Sequence, residues 1–256
     1  MGQRVILLSR PCFDDSYQEM VDHFLPTGKA YWRKSGTATA AEHLVEFAGR
    51  VCYMAFGPAQ SPKTTTEYIH HLIRSGHDSV LEHATWSFAI FGVTRAFTHQ
   101  LVRHRVGFSF SQLSQQYHDE SEAKFVRPAG LDMLPDAAAL WDKAVMDSQK
   151  AYRQLLVLLA ADKNILPQKE AVRALRSAAR SVLPNATETA IVVTANARAV
   201  RHFLKERGGI VGDAEMRLVS AALLEVLRPE GPALFSDFTI EHPGDGMPLV
   251  VHLPMR

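Results

Sequence analysis

Thr98-His-Gln-Leu-Val-Arg-His-Arg-Val-Gly-Phe-Ser-Phe-Ser-Gln-Leu-Ser-Gln-Gln-Tyr117 is the stretch on which the reading of this chain turns. It carries Arg103, His104 and Arg105, four glutamines and three serines, and no carboxylate occurs between Glu82 and Asp119. A segment that only packs would be apolar there, and one that only stays soluble would mix in acids. This density of fixed donors without a counter-charge implies a bound anion.

Working outward, Ala84–Val93 alternates Trp86, Phe88 and Ile90 with Thr85 and Ser87, which predicts a strand with one buried face that feeds directly into the motif. Thr94–Arg103 reads as a helix with Gln100 and Arg103 on one face; Gly107 breaks it, and the serines and glutamines beyond fall on a loop or short turn. Upstream, the apolar run Val5–Leu8 predicts a buried strand and Thr39–Met54 a helix. Thr64 caps a further helix, with Tyr68, Leu72 and Ile73 inward and Gly76 as its stop. Downstream come a polar linker (Asp119–Lys124), a long amphipathic helix over Ala137–Leu159 and another helix over Pro167–Val182. Glu188–Thr194 is a β-branched strand, Asn196–Arg207 a helix closed by Gly208-Gly209, and Asp213 the cap of a helix reaching Leu227. From Pro229 onward the chain is rich in Pro and Gly and reads as an irregular surface wrap. No internal repeat and no Pro/Gly linker long enough to separate domains occurs, so a single domain over 1–256 is expected.

With 256 residues, 46% of them hydrophobic, the chain can bury a full core. A net charge of +1 from 28 basic and 27 acidic side chains argues against nucleic acid as the default partner. Cys12 and Cys52 form no C-x-x-C pair, so neither a zinc site nor a disulfide framework is expected; Cys52 reads as packed, and a cytoplasmic location fits. No apolar run is long enough for a secretion signal or a membrane span, so no membrane partner is expected.

There is no P-loop, no H-E-x-x-H, no G-x-S-x-G and no strand-to-helix G-x-G-x-x-G. A dinucleotide would therefore be held by side-chain cations, as Arg103, His104 and Arg105 offer. A second constellation points the same way. Asn196, Arg198 and His202 share one face at the positive end of a helix, where an adenine-nucleotide anion would be favoured, although such a helix taken alone also reads as a solvated basic face. Ser109 and Ser114 have no recognisable base and fit capping or phosphate contact better than nucleophilic roles. His77 and His83 read equally as core or supporting histidines and as catalytic ones.

Arg103-His-Arg105 followed by serine-glutamine-leucine-serine and a tyrosine, with His77-x-Ser79-x-x-Glu82-His83 and Thr98-His-Gln100 before it, resembles the signature of the flavin-dependent thymidylate synthase family (ThyX). The likeness continues through Arg180-Ser-Val-Leu-Pro-Asn-Ala-Thr-Glu188 and Asn196–Arg217, about residues 40–220. It implies an α+β, ThyX-like fold, an antiparallel sheet flanked by long helices, and a homotetramer with active sites at its interfaces. It further implies FAD as cofactor, NADPH as reductant, methylenetetrahydrofolate as one-carbon donor and a pyrimidine mononucleotide as methyl acceptor. Carried over by position, FAD would meet Ser79, Arg103, His104, Arg105, Gln112, Asn196, Arg198 and His202. The nucleotide would meet Gln100, Arg103, Gln112, Leu113, Ser114, Gln115, Gln116, Arg180 and Arg207, with Arg207 polarising the uracil ring and no metal involved.

Two departures stand out. One extra residue separates Arg105 from Ser109, to be absorbed at Gly107, and Gln116 stands where the family has an arginine of the nucleotide pocket. Both would suit a pocket retuned from dUMP to UMP, as in nucleoside-antibiotic biosynthesis, with an ordinary dUMP enzyme as the alternative. A different class stays open: Phe108, Phe110 and Tyr117 interleaved with arginines would also serve as a single-stranded nucleic-acid platform. A non-catalytic relative that binds nucleotide is the third reading.

Overall fold

Two threonines set the starts of the second and third helices. Thr39 and Thr64 each accept a hydrogen bond from the amide three residues on, while Glu42 and Glu67 reach back to the threonine amides, closing reciprocal capping boxes. Such local agreement fixes where helices begin before tertiary packing acts. The computed structural model describes residues 2–24, 32, 34–56, 64–161 and 167–255. Its elements are β1 (Arg4–Ser9), α1 (Tyr17–Phe24), α2 (Ala40–Tyr53), α3 (Thr65–Arg74), β2 (Thr85–Thr94), α4 (Arg95–Leu101) and β3 (Phe108–Gln112). They continue with α5 (Pro135–Ala160), α6 (Gln168–Ala179), β4 (Glu188–Asn196), α7 (Ala197–Arg207), α8 (Ala214–Leu227), β5 (Phe238–Glu241) and β6 (Leu249–His252). Short 3-10 turns include Asp78–His83 and Arg180–Val182.

The mixed α+β class is as expected, with β1-β2-β4-β3 as one sheet and β5-β6 as a second, antiparallel pair. The chain divides into two compact units, one mainly Ile90–Arg103 and Phe110–Val192, the other mainly Val5–Ala89, His104–Ser109 and Val193–Arg256. In the second unit α7 packs on α8, on β6 and on the turn Asp78–His83, and α2 packs on α3. Trp86, Phe88, Val200, Phe203, Leu224 and Phe235 are all buried there. In the first unit α5 packs along α6, with Val145 and Tyr152 as its buried side chains.

Four expectations need correction. The serines after Gly107 lie on strand β3, not on a loop, with Phe108, Phe110 and Gln112 half-buried and Ser109 and Ser111 exposed; the period-two alternation of Phe and Ser was overlooked. The tail beyond Pro229 is not irregular. Phe238 pairs with His252 and Glu241 with Leu249, and buried Arg217 anchors the connecting loop through Asp245 and the carbonyls of Met247 and Pro248. Strands of four residues carry too little pattern to be read without those anchors. Strand β1 ends the sheet order and leaves Ile6 40% and Leu8 52% exposed, so the run Val5–Leu8 is not buried. Cys52, with Cys12, is exposed and unpaired rather than packed. The helix α1 had no counterpart in the sequence reading; Tyr17 and Val21 join an aromatic cluster with Phe13, Trp32, Phe47 and Phe56.

Candidate active site

Asn196 ends β4 and also caps α7, its Oδ1 accepting from the Ala199 amide at 2.9 Å, so the strand hands directly to the helix that carries the second constellation. The backbone amide of Asn196 donates to the Gly107 carbonyl at 3.2 Å, which ties the loop after the Arg-His-Arg motif to that cap. Gly107 has φ +74°, and a Cβ there would lie 2.7 Å from Asn196 Nδ2 and 2.8 Å from the Ala199 Cβ. Only glycine meets both demands.

One and a half to three turns along α7 stand the candidate residues His202 and Arg207. Arg207 Nε donates to His104 Nε2 at 3.0 Å, and no other hydrogen bond of the Arg207 guanidinium forms among the described residues. The His104 ring meets Phe203 edge-on with centroids 5.2 Å apart, and its centroid lies 5.9 Å from that of the His202 ring. Burial, then the charge of Arg207, then His202 hold its imidazole below the usual histidine range. A neutral ring accepting at Nε2 keeps its proton on Nδ1, so the Arg207 contact itself selects the tautomer. Arg198 pairs with Glu82 at 2.6 Å, both well exposed, and His202 is exposed. Ser79 and Arg105 are exposed in the same unit. Asn196, Arg198, His202 and Lys205 line a cleft of about 640 Å³, within the range of ligand sites.

The remaining predicted residues belong to the other unit: Gln100 and Arg103 at the end of α4 and just past it, Gln112 to Gln116, and Arg180. Gln112 Nε2 donates to Thr98 Oγ1 at 2.9 Å and to Thr189 Oγ1 at 3.4 Å. Leu113 is tied by its amide to the Ala190 carbonyl at 3.0 Å, and Ser114 Oγ accepts from the Gln116 amide at 3.3 Å, a turn-forming role rather than a nucleophile's. Gln115 is buried with its Nε2 unpartnered. Gln116 donates to Ser177 Oγ at 2.8 Å and accepts from Arg173 Nε at 3.2 Å. A small cleft of about 360 Å³ opens beside Gln116, Tyr117, Lys169, Arg173 and Arg176.

Sequence reasoning missed Arg173, Arg176 and Arg95. The first two lie on α6, read only as scaffold, and a three-residue repeat of arginine on an amphipathic helix was the one signal available. Burial holds the Arg95 guanidinium below the arginine range and the like charge of Arg180 adds to this, against the pull of Glu120. His77 and His83 are exposed, which removes the reading of either as a core histidine.

Each unit of this α+β chain thus carries its own set of arginines beside amide or imidazole partners, with no Gly-rich phosphate loop. Residues 36–233 match the family described as "Thymidylate synthase complementing protein". The chain is 45% identical over 219 residues to the flavin-dependent thymidylate synthase of Mycobacterium avium, covering 83% of this chain and 85% of that protein. It is 45% identical over 222 residues to the one of Mycolicibacterium gilvum (84% and 86%) and 42% identical over 229 residues to the one of Corynebacterium efficiens (87% and 89%). The chain belongs to the flavin-dependent thymidylate synthase family.

Proposed function

We propose that this chain is a thymidylate synthase that methylates C5 of dUMP, taking the one-carbon unit from methylenetetrahydrofolate and the hydride from FAD recharged by NADPH. The observation that carries the reading is the 42–45% identity to flavin-dependent thymidylate synthases over stretches that include every motif named above. The same relatives favour the dTMP-supplying reaction over UMP methylation for antibiotic biosynthesis. Gln116 does not require a retuned pocket, because the guanidinium absent at that position is present 3.2 Å from its Oε1, on Arg173.

Uracil C5 becomes nucleophilic only as negative charge builds on N3 and the ring carbonyls. The Arg207 guanidinium, aimed by its Nε bond to His104 and with Nη1 and Nη2 uncommitted among the described residues, would receive that charge bidentately. Arg95, Arg173 and Arg180 supply positive charge for the 5′-phosphate, and Gln112 and Gln116 hold their amides through Thr98 and Ser177. Arg103 and Gln100 would act with them on the nucleotide. The residues present fit a flavin dinucleotide: Asn196, Arg198 and His202 line one cleft and pair an anion-binding set with a volume suited to such a ligand. Ser79, His104 and Arg105 of the same unit would complete that set, and Arg103 and Gln112 are the candidates for flavin contact on the other unit. When bound, FAD supplies the hydride that reduces the transferred methylene to methyl, with the uracil C5 proton lost and tetrahydrofolate released.

The assembly proposed is a homotetramer of single ThyX-like domains with active sites at subunit interfaces. Helix α5 supports it, since Leu140, Met146, Val157 and Leu158 are each about 70% exposed along 26 residues. The family match over 36–233 runs through both compact units and supports one domain. Two exposed, unpaired cysteines suit a reducing cytoplasm. The deciding experiment is an anaerobic assay with FAD, NADPH and methylenetetrahydrofolate, offering dUMP and UMP in parallel and weighing the products. A gain of one methylene on dUMP is expected. A gain confined to UMP would overturn the substrate assignment, and none on either would overturn the reaction.

A further inference from the structure

Among the cations assigned to the nucleotide phosphate, Arg95 feels the charge of a buried acid that no step of the reaction uses. The amides of Arg95 and Ala96 donate to the Thr187 and Asn185 carbonyls, and the segment after Glu120 runs along the same strip, with Glu188 donating to Lys124 and Val126 to Ala186. Glu120 opens that segment with only 3% of its surface exposed. Its amide donates to the Tyr152 hydroxyl at 3.2 Å, and Tyr152, on α5, is itself buried.

The carboxylate is poorly matched to this setting. Glu120 Oε1 is buried without a hydrogen bond, and His118 Nδ1 stands 3.6 Å away on an exposed ring. Burial pushes the carboxyl above the usual carboxylate range, against the pull of His118 and then of Arg95. Arg95 and Arg180, both half-buried, repel each other, and neither forms an ion pair among the described residues. The Arg95 guanidinium donates to the Leu113 carbonyl alone, at 3.4 Å. Two guanidinia therefore have no anion of their own, while a buried carboxylate that feels the charge of one of them has no donor. An oxyanion held by Arg95 and Arg180 adds negative charge within reach of Glu120, in a place where water screens little, so the ionised carboxylate becomes costlier still.

We propose that Glu120 is a positioning residue of the nucleotide site that works as an exchangeable counter-ion: ionised and balancing Arg95 while the site is empty, it takes one proton from solvent when a phosphate occupies Arg95 and Arg180. The proton passes from buffer to carboxylate and no bond to the ligand forms, so the pocket gains one negative charge fewer than the phosphate brings. This rests on the assignment of the phosphate to those arginines and adds how the pocket keeps its charge balanced with and without ligand. Besides Arg95, the groups acting on Glu120 or on its neighbours are His118 and Asp119 on its own segment, Tyr152 on α5 and Arg176 on α6, which reaches Asp119 at 3.9 Å. His118 is the one imidazole in this set, and its variant is the control.

The test is isothermal titration calorimetry of the full, FAD-loaded chain near neutral pH in two buffers of different ionisation enthalpy, which counts the protons taken up on binding. The ligands are dUMP and sulfate, a dianion with no proton of its own to exchange there. Wild type should take up on the order of 0.3–0.8 proton with sulfate, take up more with dUMP than Glu120→Gln does, and bind sulfate more tightly as pH falls. Glu120→Gln should abolish the uptake with sulfate, hold sulfate about 3- to 10-fold more tightly than wild type, and lower the KM for dUMP with kcat within about twofold. A glutamate that only supported the fold would give the opposite sign, weaker binding on substitution, and that result overturns the proposal. Uptake that survives Glu120→Gln also overturns it, and its loss in His118→Asn would then place the proton on the imidazole. If thermal melts show that Glu120→Gln does not fold, infrared difference spectra of the wild type decide: sulfate should bring up the carbonyl band of a protonated carboxyl, and its absence overturns the assignment. A wild type that binds neither dUMP nor sulfate would instead remove the nucleotide reading, an outcome distinct from binding without proton uptake.

Discussion

The Arg207–His104 pair and the Gln116–Arg173 pair reach similar ends by opposite routes. In the first, the charge sits on a motif residue, and a neutral histidine from the Arg-His-Arg triplet aims it at 3.0 Å. In the second, the motif residue is the neutral partner, and the charge comes from helix α6, 3.2 Å away. The difference teaches that a motif identifies a pocket more securely than it identifies which side chain carries the pocket's charge. A guanidinium can be supplied from any element that packs beside the motif.

The strongest way to break the comparison is to remove both charges separately. Arg207→Ala should lower kcat by about 10²–10³ while flavin absorbance is retained, because its donors are needed where charge develops; an unchanged kcat would remove the polarising role. Arg173→Ala should instead raise the KM for dUMP by about 10- to 100-fold with kcat little altered, the loss of one or two charge-assisted bonds. Gln116→Arg in that background should recover part of the affinity, and no recovery would show that the two positions do not substitute for each other.

A third change tests the turn that places His104. Gly107→Ala should destabilise by about 1–3 kcal/mol, seen as a lower Tm, since it forces a side chain into a left-handed conformation against Asn196. Acidification sharpens the contrast further. The folded chain holds the His104 pKa below its ordinary value of about 6.5, so the unfolded state takes the proton first. Stability and the Arg207 contact are then intact above about pH 6.5 and decline as pH falls through and below it. His104→Gln should flatten that decline in pH-dependent melts, whereas Arg173→Ala should leave it in place. The smallest effect belongs to Glu82→Gln, where an exposed ion pair with Arg198 should change the melting free energy by less than about 1 kcal/mol.

Much of the scaffold was legible because local signals agreed with the fold. Thr39, Thr64, Asn196 and Asp213 each cap the helix that sequence predicts, and the alternation around Trp86 and Phe88 marks β2. The shared face of the candidate residues on α7 was legible for the same reason, since a three- or four-residue spacing on a helix is a spatial statement. Where pattern was short, reading failed: the four-residue strands β5 and β6 became visible only through Arg201 and Arg217, which hold Asp237 and Asp245 from distant helices. The run Val5–Leu8 misled because an apolar strand looks the same whether both its faces or one is covered.

By itself the sequence determined the helices from α2 to α8, the strands β2 and β4, the caps at Thr64 and Asp213 and the glycine turn after the Arg-His-Arg triplet, since each depends on neighbours within a few residues. Only the tertiary structure decided that His104 stays neutral against Arg207, that Arg173 stands beside Gln116, and that His252 faces the cleft with Asp237 behind it. Those facts depend on burial and on contacts between residues 15 to 103 positions apart, and desolvation has no signature in the spacing of a chain.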